Sequence, residues 1–69
     1  MMADEKKVLR LLKTARGQMD GIIKMVEENR YCIDISQQLM ATEAILNRAN
    51  KEILAAHLKH CVQEAASDA

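Results

Sequence analysis

Phenylalanine, tryptophan and proline are absent from the 69 residues, tyrosine occurs once, at Tyr31, and glycine twice, at Gly17 and Gly21. Without proline there is no built-in break for a long helix. Two cysteines, Cys32 and Cys61, are too few for a disulfide scaffold, so a reducing cytosol is the expected compartment. No apolar run approaches the length of a membrane span, and the Met-Met-Ala-Asp-Glu-Lys-Lys start lacks the apolar stretch of a signal peptide. Charge of one sign is also missing: ten Lys and Arg balance ten Asp and Glu. No nucleophile sits beside a base with an orienting acid, so an enzyme is not expected. What remains is Ala, Leu, Ile, Glu, Lys, Gln and Met, a helix-forming composition. Apolar residues make up 49% of the chain, so any core is aliphatic and thin. A chain this short is near the limit for a self-sufficient core, which predicts self-association.

Two helical patterns stand out. The first runs from about Asp4, a candidate N-cap, to Glu28. Val8, Leu11, Leu12, Ala15, Met19, Ile22, Ile23 and Val26 form one stripe at steps of three and four. Lys6, Arg10, Lys13 and Lys24 fall on the opposite face, together with Gly17 and Gly21. Asn29, in the polar cluster Glu27-Glu28-Asn29-Arg30, can take a left-handed conformation and end the helix. The second pattern runs from about Tyr31 to Glu64. Ile35, Leu39, Thr42, Leu46, Ala49, Ile53, Ala56 and His60 alternate steps of four and three, a heptad seam. The tail from Ala65 to Ala69 is expected to fray. The fold class is therefore all-α: a two-helix antiparallel hairpin in one domain, 1–69. The longer helix keeps a stripe that the shorter one cannot cover. A second copy would cover it, giving a dimeric four-helix bundle with two-fold symmetry.

Cys32 opens the second helix, and His57 and Cys61 close it on one face, four residues apart. Along one straight helix Cys32 and His57 lie roughly 37 Å apart, so one chain cannot unite them. An antiparallel dimer can. If its axis passes near Ile45 and Leu46, Cys32 faces Lys59 of the other chain, midway between His57 and Cys61. Soft thiolates select Cu(I), Zn(II) or iron–sulfur chemistry. Structural zinc wants a fourth ligand. His60 could supply one, but it points about 100° away from Cys61. Three donors favour Cu(I). A cysteine in a helical core is more often a small hydrophobe; the antiparallel coincidence with Cys32 raises the ligand role.

Arg16-Gly17-Gln18, Asp20-Gly21-Ile22, Tyr31-Cys32-Ile33-Asp34, Arg48-Ala49-Asn50 and His57-Leu58-x-x-Cys61 together resemble the CsoR family of bacterial metal-sensing repressors, the CsoR/RcnR/FrmR group. The match spans about residues 8 to 62, and the Cys32, His57 and Cys61 spacing fits the copper-sensing branch. The resemblance implies antiparallel hairpins in a dimer, two dimers in a tetramer, and operator DNA bound by the metal-free protein. It implies that Cu(I) held by Cys32 of one chain with His57 and Cys61 of the other releases the DNA. Tyr31 matches a position beside the ligands that relays their geometry. Arg16 and Arg48 match basic positions on DNA-binding faces. The family also carries a short third helix, for which these residues hold no counterpart, and Leu11 stands where many members have an arginine. The N-terminus lacks the histidine of the nickel/cobalt branch and the proline of the formaldehyde branch, and His57 argues against the persulfide branch.

Between residues 6 and 16 the chain carries Lys6, Lys7, Arg10, Lys13 and Arg16 and no acid. Such a strip suits salt-sensitive phosphate contact, with Arg10, Lys13, Arg16 and Arg48 as its DNA-facing residues. The leading expectation is a cytoplasmic, copper-responsive repressor with no membrane partner. The alternatives are a reactive-sulfur sensor using Cys32 and Cys61, and a copper-buffering protein that does not bind DNA.

Overall fold

A computed structural model describes residues 3–67. The chain forms two helices, α1 (Glu5–Glu27) and α2 (Cys32–Ser67), and the described residues contain no strand. Asp4 caps α1 as the sequence suggests: its backbone is extended, and its Oδ1 accepts a hydrogen bond from the Lys7 amide at 3.2 Å. Asn29 ends α1 with φ of 54°. Arg30 N donates to Met25 O at 2.9 Å, and Asn29 N donates to Val26 O at 3.0 Å. Those two bonds satisfy carbonyls that the helix end would otherwise leave open, and the left-handed residue between them reverses the chain. The Tyr31 carbonyl then accepts from Ile35 N at 3.2 Å and starts α2. Ala65 to Ser67 remain helical, so the expected fraying does not begin at Ala65. Alanine and glutamine are good helix formers, and no glycine or proline interrupts them. Residues 68 and 69 lie outside the described part.

The helices run antiparallel. Lys7 of α1 meets Glu52 of α2, and Gln18 meets Thr42. Val8, Leu11, Ala15 and Ile22 on α1 are buried against Thr42 and Ala49 on α2. The molecule measures 59 × 20 × 11 Å, a plate one helix thick. Its radius of gyration is 17.0 Å, against about 11 Å for a compact domain of this length. No helix among the described residues is long and apolar enough to cross a membrane.

Both apolar stripes divide where the sequence suggested single seams. On α2, Thr42 and Ala49 are buried, and Ile35, Ala56 and His60 are half-buried. Leu39, Leu46 and Ile53, from the same seam, stay exposed. Ile35, Thr42, Ala49 and Ala56 form one row at steps of seven and Leu39, Leu46 and Ile53 another, about 50° apart around the helix; His60, next in the second row, is half-buried. One neighbouring cylinder covers one row. The α1 stripe splits likewise: Leu12, Met19, Ile23 and Val26 are exposed. In each helix the exposed row lies about 50–60° around from the buried one, turned in the same sense. Because the helices are antiparallel, both exposed rows come to the same broad side of the plate.

Candidate metal centre and basic surface

Cys32 is the first residue of α2, and Cys61 lies 29 residues further along the same unbroken helix. That separation is about 43 Å. Both thiols are free and exposed. By helical periodicity Cys32, His57 and Cys61 share the angular sector of Leu39, Leu46 and Leu54. The donors therefore sit at the two ends of the exposed apolar side.

His57 Nε2 lies 3.5 Å from Cys61 Sγ. A nitrogen and a sulfur bound to one metal stand about 3.5–3.8 Å apart for tetrahedral to trigonal angles, taking metal–nitrogen and metal–sulfur bonds near 2.0 and 2.3 Å. Two of the three donors are thus already at ligating distance on one helical turn, and their chemistry fits a soft metal ion. The third, Cys32, is remote: no three potential ligands cluster among the described residues of one chain. His60 does not join the pair. It turns toward α1, lines a depression with Ala3 and Asp4, and meets Glu64 Oε1 at 2.9 Å. Tyr31 is exposed beside Cys32 and is not brought to His57 or Cys61 within the chain.

The basic residues do not form a single strip. Lys7 leaves it, because its Nζ pairs with Glu52 Oε1 at 2.8 Å across the hairpin. Arg10 and Lys13 are exposed around a shallow surface with Lys6, Leu9 and Thr14. Lys13 and Arg16 border Leu9 and Leu12 on the apolar side. Arg48 is exposed and turns to the opposite broad side, as do Arg10, Gly17 and Gly21. A Cβ on either glycine would meet nothing within 4 Å, so both expose bare backbone.

The Gln18–Thr42 link was not anticipated. Thr42 Oγ1 donates to Gln18 Oε1 at 2.8 Å, and Thr42 is only 2% exposed. The available signal was periodicity. Position 18 continues the Val8, Leu11, Ala15, Ile22 row, so a polar residue there requires a polar partner in the facing row.

The chain is a plate of two antiparallel helices, with thiols at both ends of α2, an imidazole beside one of them, and basic residues around it. The family model described as metal-sensitive transcriptional repressor matches residues 4–69, and the chain belongs to that family. It is 46% identical over 68 residues to the copper-sensing transcriptional repressor CsoR of Mycobacterium ulcerans, covering 97% of this chain and 58% of that protein. It is 37% identical over 62 residues to the protein of the same name from Bacillus subtilis, covering 90% of this chain and 61% of that one. The chain therefore spans about three fifths of these relatives. The crystal structure of the copper-sensing repressor CsoR with Cu(I) from Geobacillus thermodenitrificans superposes with a TM-score of 0.82 at 41% identity, covering 91% of this chain and 66% of that one.

Proposed function

We propose that this chain is a copper(I)-responsive transcriptional repressor of the cytoplasm, built as a dimer of hairpins that pair again into a tetramer. Metal-free, it holds operator DNA through Arg10, Lys13, Arg16 and Arg48. Cys32 of one chain, with His57 and Cys61 of the other, takes Cu(I), and Tyr31 adjoins that site. The observation that carries this reading is the 3.5 Å His57–Cys61 pair on the same exposed side as Cys32 at the far end of α2. An antiparallel second copy completes the set at both ends.

The ion, when bound, supplies a fixed tie between two thiolates and an imidazole. The chain's own residues turn that tie into movement. Cys32 begins α2 directly after the turn, so its position fixes the N-terminal end of the helix. Arg48 rides on the same helix, and α1 is fastened to it through Gln18–Thr42 and Lys7–Glu52. A small shift of α2 thereby moves basic residues on both helices. The two exposed thiols would also suit reactive-sulfur sensing, but the imidazole held against Cys61 favours a metal.

Anaerobic Cu(I) titration of the protein on a labelled duplex taken from upstream of its own coding sequence tests the reading. We expect salt-sensitive binding by the metal-free protein, weakened at least about tenfold by Cu(I), a coupling of about 1.4 kcal/mol. Binding indifferent to Cu(I) but lost on adding persulfide would overturn it in favour of sulfur sensing. Copper binding without DNA binding would leave a copper buffer.

A further inference from the structure

Thr42 sits in the middle of the hairpin and is 2% exposed, a hydroxyl among aliphatic side chains. It has one proton and two acceptors within reach. Gln18 Oε1 on α1 lies at 2.8 Å, and the Gln38 carbonyl one turn back on α2 lies at 3.2 Å. A hydroxyl donates one proton, so the two bonds compete. Donation to Gln18 joins the helices. Donation to the Gln38 carbonyl is the ordinary back-bond of a helical threonine and leaves α1 unattached at this point.

The placement makes the choice consequential. Thr42 lies ten residues along a continuous helix from Cys32. Gln18 lies two residues from Arg16 and next to the bare backbone of Gly17. Gln18 and Gln38 are both half-buried, so each can exchange this bond for a neighbouring polar group or water. The other polar tie, Lys7–Glu52, is solvent-exposed in part and joins long, adaptable side chains. Of the two, the Thr42–Gln18 bond is the more buried and joins the shorter side chains, which places it to sense register.

We propose that the Thr42 hydroxyl is a two-position coupling element between the metal centre and the DNA-facing helix, with Gln18 as its positioning partner. The inference rests on the copper-repressor reading and names the internal contact through which that site is regulated. Joined to Gln18, it transmits a displacement of α2 to α1. Turned to the Gln38 carbonyl, it lets α2 move alone. Neither residue belongs to the proposed donor set or to the proposed DNA-facing residues.

Three variants of the protein test this: Thr42→Val, which keeps the shape and removes the hydroxyl, Thr42→Ser, which keeps the hydroxyl, and the double variant Gln18→Leu with Thr42→Val. The readout is the ratio of duplex affinities without and with Cu(I), on the fragment described above, beside Cu(I) affinity and thermal unfolding. We expect Thr42→Val to reduce that ratio about three- to tenfold at unchanged Cu(I) affinity. Thr42→Ser should restore it. The double variant should lose no more coupling than the single one, whatever it does to stability. A ratio equal to wild type in Thr42→Val would overturn the proposal alone. So would a loss that follows the unfolding temperature across all three and is not rescued by serine. A wild-type protein whose duplex affinity ignores Cu(I) would overturn the copper-repressor reading and this element with it.

Discussion

The two long sides of α2 are built from different materials. Apart from the half-buried Ile35 and Ile45, the side turned to α1 carries Gln38, Thr42, Ala49, Glu52 and Ala56, which are small or polar. The side turned to solvent carries Leu39, Met40, Leu46, Leu54 and Leu58, between 39% and 62% exposed. Most of the large aliphatic side chains of α2 thus lie where the chain has nothing of its own to pack against them. Alanine and threonine let two helices approach closely, and the buried polar pair selects one register. The large residues supply area, at about 25 cal/mol per Å² removed from water. The candidate donors Cys32, His57 and Cys61 fall on the same side as that uncovered area. In the proposed dimer one surface would serve both assembly and sensing, and a second copy would complete both.

Substitutions on the two sides should differ in kind. The largest effect is expected at the centre of the exposed side. Leu46→Asp places a charge where the proposed dimer would bring two copies together, and without a partner a buried carboxylate costs several kcal/mol. Sedimentation and circular dichroism should show dissociation and loss of helix together. A stable, fully helical monomer from the unaltered chain at micromolar concentration would show that the exposed side needs no cover.

Next comes Cys32→Ala at one end of that side. It removes one donor from each site and leaves His57 and Cys61 adjacent on one chain. Cu(I) affinity should fall on the order of a hundredfold or more by competition with a chelator, while the helix content stays. Arg48→Ala acts on the opposite broad side. It should weaken duplex binding at low salt and reduce the slope of log K against log salt by about one, with Cu(I) affinity unchanged.

The smallest effect is expected at Gly17. Its Cβ position is open and its backbone helical, so Gly17→Ala should stabilise the hairpin by about 0.5–1 kcal/mol in thermal unfolding. Were the same variant to lose duplex affinity, the bare backbone at Gly17 would be part of the contact surface.

Much of this was legible in the sequence because it depends on local chemistry. Asp4 and Asn29 mark the ends of α1 through their side chains and backbone preferences, and the structure uses both. The His57–Cys61 juxtaposition follows from a four-residue step on a helix, and it is present at 3.5 Å. What could not be read was how a broad apolar surface divides between neighbours. Thr42 and Leu46 lie in one seam by spacing, yet one is buried and the other exposed. That division depends on where α1 lies in space, which periodicity alone does not encode. Lys7 looked like part of a basic strip because Glu52, which neutralises it, is far away in sequence. The same distance hid Gln18 from Thr42. The tail beyond Glu64 looked too polar for order, but helix propensity carries it through Ser67.

The central claim is that the metal centre does not exist within one chain and closes only between two. The most direct measurement mixes two variants that each lack one of the three ligands, His57→Ala keeping only weaker binding through its two thiolates. Cys32→Ala chains and His57→Ala chains, each prepared separately, are unfolded together, refolded and titrated anaerobically with Cu(I) against a competing chelator. If the ligands bridge chains, the mixed dimer regains one complete site: Cys32 of the His57→Ala chain joins His57 and Cys61 of the Cys32→Ala chain. Tight binding should then return at the fraction of mixed dimers that random pairing forms, about half. No recovery of tight binding, with mixed dimers shown to be present, would contradict the account and place the ligands elsewhere.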